Sequence, residues 1–327
     1  MIIVEGLTRW YGPVAALRDV SFRIETGEIV GFLGPNGAGK STAMKILTGS
    51  VAPSAGTASL AGCDILSEPA AVRRRVGFMP EQVVLYPDQT VRELLDFVAV
   101  LKGVPTAGRR EHLDDIVGRC GLRDVAGKLV GSLSHGYRKR AGLAQALVGD
   151  PEILILDEPT SGLDPQQIVG IRELIRSFKG HRTVLLSSHI LTEVEATCSR
   201  VLILNRGRLV GQQGAEGVAA SDLAGLAGGP VRVILDWDGN REGVAAALAE
   251  VAGVDEIRIS ETGAEVLIAG NPVEIRPKLV ESVLAAGGQL QGVQDKGPSL
   301  EDLFLRLTGA NLGPDEPSRQ TDDPEES

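Results

Sequence analysis

One run constrains this chain more than any other. Directly behind the apolar pentapeptide Ile29–Leu33 stands Gly34-Pro35-Asn36-Gly37-Ala38-Gly39-Lys40-Ser41, followed by Thr42. It satisfies the phosphate-binding pattern G-x-x-x-x-G-K-[ST] in full. The glycines let backbone N–H groups turn inward and approach phosphate oxygens without a Cβ in the way. A helix expected to start near Lys40 points its positive end at the same anion. Lys40 supplies a mobile cation for the β- and γ-phosphates, and the Ser41 hydroxyl is placed to ligate magnesium. A strand before the loop and a helix after it are the context this pattern requires.

A phosphate loop alone leaves kinases, GTPases and motors open. The run Ile153–Leu156 narrows the choice, because it is an apolar strand that ends in Asp157 and Glu158. Asp157, at the strand end, can hold the magnesium shell. Glu158 stands one residue further, where an attacking water would sit. Two acids with separate tasks are what phosphoryl transfer to water needs.

Between residues 1 and about 215, short β-rich runs (Ile29–Leu33, Ile153–Leu156, 184–187 and 201–204) alternate with amphipathic segments. This is the pattern of an α/β fold around a mostly parallel sheet. A Gly- and Ala-rich stretch from 214 to 230 reads as a linker. Beyond it the expected order is strand 231–237, helix 241–251, strand 254–260, strand 264–269, helix near 277–286 and strand 289–294. That βαββαβ order implies a small α+β ferredoxin-like unit over 231–309. Pro277 is expected in the first turn of its helix, where proline is tolerated, and a last helix over 300–307 closes the unit.

Composition excludes several alternatives. Hydrophobic residues make up 43% and aromatics only 3%, so Leu, Val, Ile and Ala must fill the core. A formal charge of −10 argues against a nucleic-acid partner, which calls for a basic face. Residues 310–327, rich in acids and proline, read as a solvated, disordered tail. Cys63, Cys120 and Cys198 are scattered, as expected of reduced thiols. The N-terminus lacks the basic and apolar regions of a secretory signal. Spanning a bilayer takes about 20 apolar residues, and the richest run, 94–101, contains Asp96.

The remaining motifs carry a resemblance. Residues 1 to about 215 resemble the nucleotide-binding domain of ABC ATPases, a P-loop NTPase fold with a helical subdomain at about 85–150. Tyr11, before Gly12, matches the aromatic that stacks on adenine. Gln82, in Met79-Pro80-Glu81-Gln82, matches the glutamine that touches magnesium and reports to a membrane domain. Leu133-Ser134-His135-Gly136-Tyr137 stands where the family signature belongs. Ser161-Gly162-Leu163-Asp164 matches the loop that crosses the dimer interface, and His189, in Ser187-Ser188-His189, matches the switch histidine at the γ-phosphate. The signature departs from L-S-G-G-Q at His135 and Tyr137. Ser134 remains as a hydroxyl N-cap and Gly136 as a close-approach glycine, with Tyr137, Ala141, Ala144 and Val148 expected on one helix face. The run from Ser134 to Leu147 resembles the subgroup serving gliding-motility and multidrug export.

This resemblance implies an ATPase that uses ATP and Mg2+, with Glu158, His189 and Lys40 catalytic. It implies a homodimer, or a pair with a homologous ATPase, because the signature serves nucleotide bound to the opposite subunit. It further implies a separate integral membrane permease and a peripheral place on the cytoplasmic face of the membrane. Two other readings are a non-transport ABC ATPase acting on ribosomes or DNA, and a kinase or GTPase. The first calls for paired ATPase units or a long coiled-coil insertion, and the second leaves the signature and His189 unexplained.

Overall fold

The structure, a computed structural model, describes residues 1–214, 231–260, 262–268 and 272–296. Most of the expected linker, the helix expected over 300–307 and the tail over 310–327 lie outside the described residues.

A six-stranded sheet is the centre of the N-terminal part, in the order β10-β9-β3-β8-β7-β6. Its strands are β3 (Ile29–Leu33), β6 (Val76–Met79), β7 (Ile153–Leu156), β8 (Thr183–Ser188), β9 (Arg200–Asn205) and β10 (Arg208–Gly214). Every pairing is parallel except that of β10 with β9. The apolar runs are continuous because both faces are covered. Ile153 and Ile155 face one way, towards a core shared with the N-terminal sheet. Leu154 and Leu156 face the other, towards a core shared with helices.

The first covering layer is an antiparallel sheet, β2-β1-β4-β5, that the sequence reading did not anticipate. It comprises β1 (Ile2–Tyr11), β2 (Val14–Ile24), β4 (Ala55–Leu60) and β5 (Cys63–Asp64). It packs Ile2, Leu7, Leu17 and Ile24 together with Met44 and Leu47 of helix α1 (Lys40–Leu47). The short helix α2 (Pro69–Arg75) adds Val72 to the same core.

The second covering layer is helical: α3 (Val91–Leu101), α4 (Arg109–Arg119), α5 (His135–Leu147), α6 (Pro165–Arg176) and α7 (Leu191–Thr197). Helix α3 opens with a capping box. Thr90 accepts from the backbone N–H of Glu93, whose carboxylate accepts from the N–H of Thr90. All three cysteines are free and buried. No helix among the described residues is long and apolar enough to cross a membrane.

Beyond residue 230 the expected βαββαβ order is found: β11 (Val231–Gly239), α8 (Arg241–Ala249), β12 (Val254–Ile259), β13 (Gly263–Ile268), α9 (Pro272–Ala285) and β14 (Gly288–Lys296). All pairings are antiparallel, in the order β12-β13-β11-β14. This unit has a core of its own, with Val233, Leu235 and Trp237 against Val244, Leu248 and Leu279. One expectation is corrected. Helix α9 begins at Pro272, which takes the first-turn position, so Pro277 sits inside the helix. Pro277 is exposed, so the hydrogen bond it cannot donate is lost on the water side.

Candidate functional site

Adjacent parallel strands bring the chemistry together. β3, β8 and β7 lie side by side in that order, with Leu33 opposite Ser188 and Leu156 opposite Leu186. The phosphate loop, His189 and Asp157-Glu158 therefore emerge at the same carboxyl edge, where open α/β sheets bind ligands.

The loop is shaped by close approach. Gly39 has φ 107°, and a Cβ there would stand 2.5 Å from the Ala16 carbonyl. A Cβ on Gly34 would stand 2.4 Å from the Leu204 carbonyl. Lys40 opens α1 and is buried, donating to the carbonyls of Gly34 at 2.6 Å and Pro35 at 3.3 Å. Its ammonium lies 3.7 Å from the Glu158 carboxylate. Burial pushes the Lys40 pKa below the ordinary lysine range, and Glu158 and Asp157 oppose that fall.

Ser41 donates to Asp157 Oδ1 at 3.2 Å, and Ser187 donates to the same oxygen at 2.6 Å. Ser187 also accepts from the Glu158 backbone N–H at 2.8 Å. A hydroxyl beside a buried carboxylate is an oxygen donor set suited to magnesium, which takes one or two carboxylates and completes its shell with water and phosphate. Glu158 is 7% exposed and has φ 46°, an unusual backbone for a residue with a Cβ. Its Oε2 lies 3.1 Å from Nδ1 of His189, and this hydrogen bond raises the His189 pKa.

These groups line one cleft of about 910 Å3. Tyr11, Asn36, Gly37, Ala38, Gly39, Lys40, Ser41, Thr42, Glu158 and His189 all border it, and Gly34, Pro35 and Asp157 support its floor. Tyr11 is half exposed, with the Arg9 guanidinium 4.7 Å from its ring centre. Gln82 borders a neighbouring hollow instead, together with His135, Ser161 and Gly162.

The signature residues are placed elsewhere. Ser134 caps α5, its hydroxyl accepting from Tyr137 N at 3.4 Å, and Asp164 caps α6 by accepting from Gln167 N at 2.9 Å. None of Ser134, His135, Gly136, Tyr137 and Asp164 borders the cleft. Tyr137, in the first turn of α5, is 36% exposed, while Ala141 and Ala144 are buried. One expectation is corrected: Val148 is buried but lies just past the end of the helix, as its C-cap.

Sequence reasoning missed several groups that shape the site. Ser187 is one. Glu193 is another: it accepts from Thr160 at 2.6 Å and Ser188 at 3.1 Å, tying the turns on either side of Glu158 and His189. Lys139 is a third, buried among Gly136, Gly142 and Leu143 on the inward face of α5. Its one sequence signal was helical spacing from all of Gly136, Gly142 and Leu143, which neither Arg138 nor Arg140 has.

Comparison with known proteins decides the family. The family model described as "ABC transporter" matches residues 17–161, from β2 to the turn after Glu158. A model for an AAA domain matches residues 130–195. The linearmycin resistance ATP-binding protein LnrL of Bacillus subtilis is 32% identical over 317 residues, covering 95% of this chain and 99% of its own. The chain belongs to the ABC transporter family. The daunorubicin resistance ATP-binding protein DrrA3 of Streptomyces coeruleorubidus is 33% identical, covering 94% of this chain and 96% of its own. A dimeric ATP-binding cassette in a post-hydrolysis state with ADP and Pi superposes with TM-score 0.62 at 25% identity, covering 67% of this chain and all of its own. This ABC subunit is thus an ATP-binding ATPase of the kind that serves export and resistance systems, and its structural neighbours include a dimeric cassette and a part of a transporter complex.

Proposed function

We propose that this subunit closes with a second ATPase subunit around two ATP molecules and so drives export through a separate membrane permease. The observation that carries this reading is the division of the site. The cleft gathers Tyr11, the phosphate loop, Glu158 and His189, and the signature residues stand outside it. A second subunit can bring its own Ser134, His135, Gly136 and Tyr137, with Asp164, to that cleft. ATP then favours the closed pair because it contacts both sides, and hydrolysis removes the difference in affinity that kept the pair closed.

Within the cleft, Tyr11 stacks on the base and the amides of Asn36 to Thr42 hold the phosphates. Ser41 and Asp157 would hold magnesium, with Gln82 of the neighbouring hollow as a further oxygen donor once the loop approaches, and the ion would supply positive charge at the phosphates. Lys40 adds a buried cation there. Glu158 orients and polarises the attacking water. His189, its Nδ1 paired with the Glu158 carboxylate by a hydrogen bond that raises its pKa, turns Nε2 to the γ-phosphate. The chain divides at about residue 215 into this ATPase domain, at the cytoplasmic face of the membrane, and an accessory domain over 231–309.

The test is Glu158→Gln. It should bind ATP as the unsubstituted chain does and turn over about 10²- to 10⁴-fold more slowly, the worth of a general base. With ATP it should accumulate at twice the monomer mass in sedimentation. Turnover at the unsubstituted rate would remove Glu158 from the reaction.

A further inference from the structure

Arg138, Lys139 and Arg140 follow one another on α5, yet only Lys139 is fully buried, at 3% exposed. A lysine with room to reach water carries its ammonium outward. This one donates inward, to the Glu81 carbonyl at 2.8 Å and the Glu158 carbonyl at 3.1 Å. Burial pushes the Lys139 pKa below the ordinary lysine range, and the nearby carboxylates of Glu81, Glu158 and Asp157 oppose that fall. A buried ammonium needs such partners to remain charged.

The two carbonyls belong to separate segments. Glu81 precedes Gln82 in the loop that follows β6, and Glu158 stands in the turn that follows β7. The lysine itself belongs to α5, the helix that Ser134 caps. One side chain therefore ties the Gln82 loop, the Glu158 turn and the signature helix. The Glu158 tie matters because that residue has a left-handed backbone, which persists only where its surroundings hold it.

We propose that Lys139 is a positioning residue that couples nucleotide in a subunit's own cleft to the signature face that subunit offers its partner. A displacement of the Gln82 loop is passed through one ammonium to the Glu158 turn and to the first turn of α5. Nucleotide binding itself does not need Lys139, which does not border the cleft. This inference rests on the roles proposed above for Glu158 and the signature.

The experiment uses the full chain and Lys139→Met, which keeps an unbranched stem and removes the donors. Turnover should fall about 10- to 100-fold, the scale of a small misplacement of catalytic groups. Equilibrium affinity for a fluorescent ATP analogue should stay within about twofold, a fraction of the tenfold that 1.4 kcal/mol represents. Combined with Glu158→Gln, Lys139→Met should abolish the doubling of mass at an ATP concentration that fully doubles Glu158→Gln alone. Lys139→Arg, which keeps charge and donors, should recover part of both properties. Turnover at the unsubstituted rate in Lys139→Met would overturn the inference, as would affinity that weakens as much as turnover falls. If Lys139→Met does not fold, Lys139→Arg decides, and normal affinity with partly retained turnover supports the coupling. Complete loss of both affinity and turnover in folded Lys139→Arg would overturn it. Glu158→Gln in the same assay separates the two levels: slow Glu158→Gln beside normal Lys139→Met defeats only this inference.

Discussion

Glu158 is the most constrained residue of the cleft. Its backbone is left-handed, its carboxylate is almost wholly buried, and the Lys40 ammonium and the His189 ring converge on that carboxylate. Its hydrogen bond raises the His189 pKa above the ordinary value. The associated stability is complete below the unfolded pKa and is lost as pH rises through the higher folded one. Glu158→Gln replaces the charged acceptor, so the His189 imidazole should titrate lower than in the unsubstituted chain. An NMR titration of the ring would measure this, and an unchanged His189 pKa in the variant would dismiss the pair. The loop glycines, Lys40, Asp157 and Glu158 were legible in sequence because their chemistry is written in contiguous runs. Ser187 and Lys139 were not, because each acts through a hydrogen bond to a residue of another element, and nothing local marks the partner.

Among elements, α1 depends on the turn that introduces it. Gly39→Ala would place a Cβ against the Ala16 carbonyl and force a side chain into left-handed backbone. Strain of about 1–3 kcal/mol is expected, lowering the melting temperature and weakening nucleotide affinity at least about tenfold. Calorimetry and a nucleotide titration would check both, and unchanged affinity would show that the loop tolerates the extra carbon. Helix α3 gives a smaller case, since Thr90→Ala removes one half of the capping box and should lower stability by about 0.5–2 kcal/mol in chemical denaturation. The buried parallel strands were readable because both faces are covered and their sequences are uniformly apolar. The antiparallel sheet was not, because the alternation along β1 breaks at Gly6 and its pairing shifts register between Val4 and Trp10. Pro277 misled for a simpler reason: a proline marks a helix start only when no better placed one precedes it, and Pro272 does.

For the molecule as a whole, the partner surface is the open question that can be addressed directly. Val84 is 85% exposed and Tyr86 53%, and the Tyr86 ring meets Phe97 edge to face at 5.7 Å between centres. These apolar groups follow Gln82 on the segment between the parallel sheet and α3, and we propose that segment as the contact with a membrane partner. Val84→Asp with Tyr86→Asp should retain ATP affinity and lose the membrane protein that the tagged subunit retrieves from its native membranes. Undiminished recovery of that protein would move the contact elsewhere. Recovery of ribosomes or DNA by the unsubstituted chain would replace transport with another use of the same ATPase.

The cleft also has walls from two different sheets. Tyr11, Val14 and Ala16 come from the antiparallel layer and the phosphate loop from the parallel one. Arg18 N donates to the Gly207 carbonyl at 2.7 Å and Gly207 N to the Ala38 carbonyl at 2.9 Å, joining the layers at the cleft's edge. Nucleotide seated there joins them a second time, and does so only in the folded chain. At a free concentration a hundredfold above its Kd it adds about 2.7 kcal/mol to the free energy of unfolding. A destabilising substitution in either layer can therefore go unnoticed in a cell rich in ATP and become lethal to the fold when energy runs low.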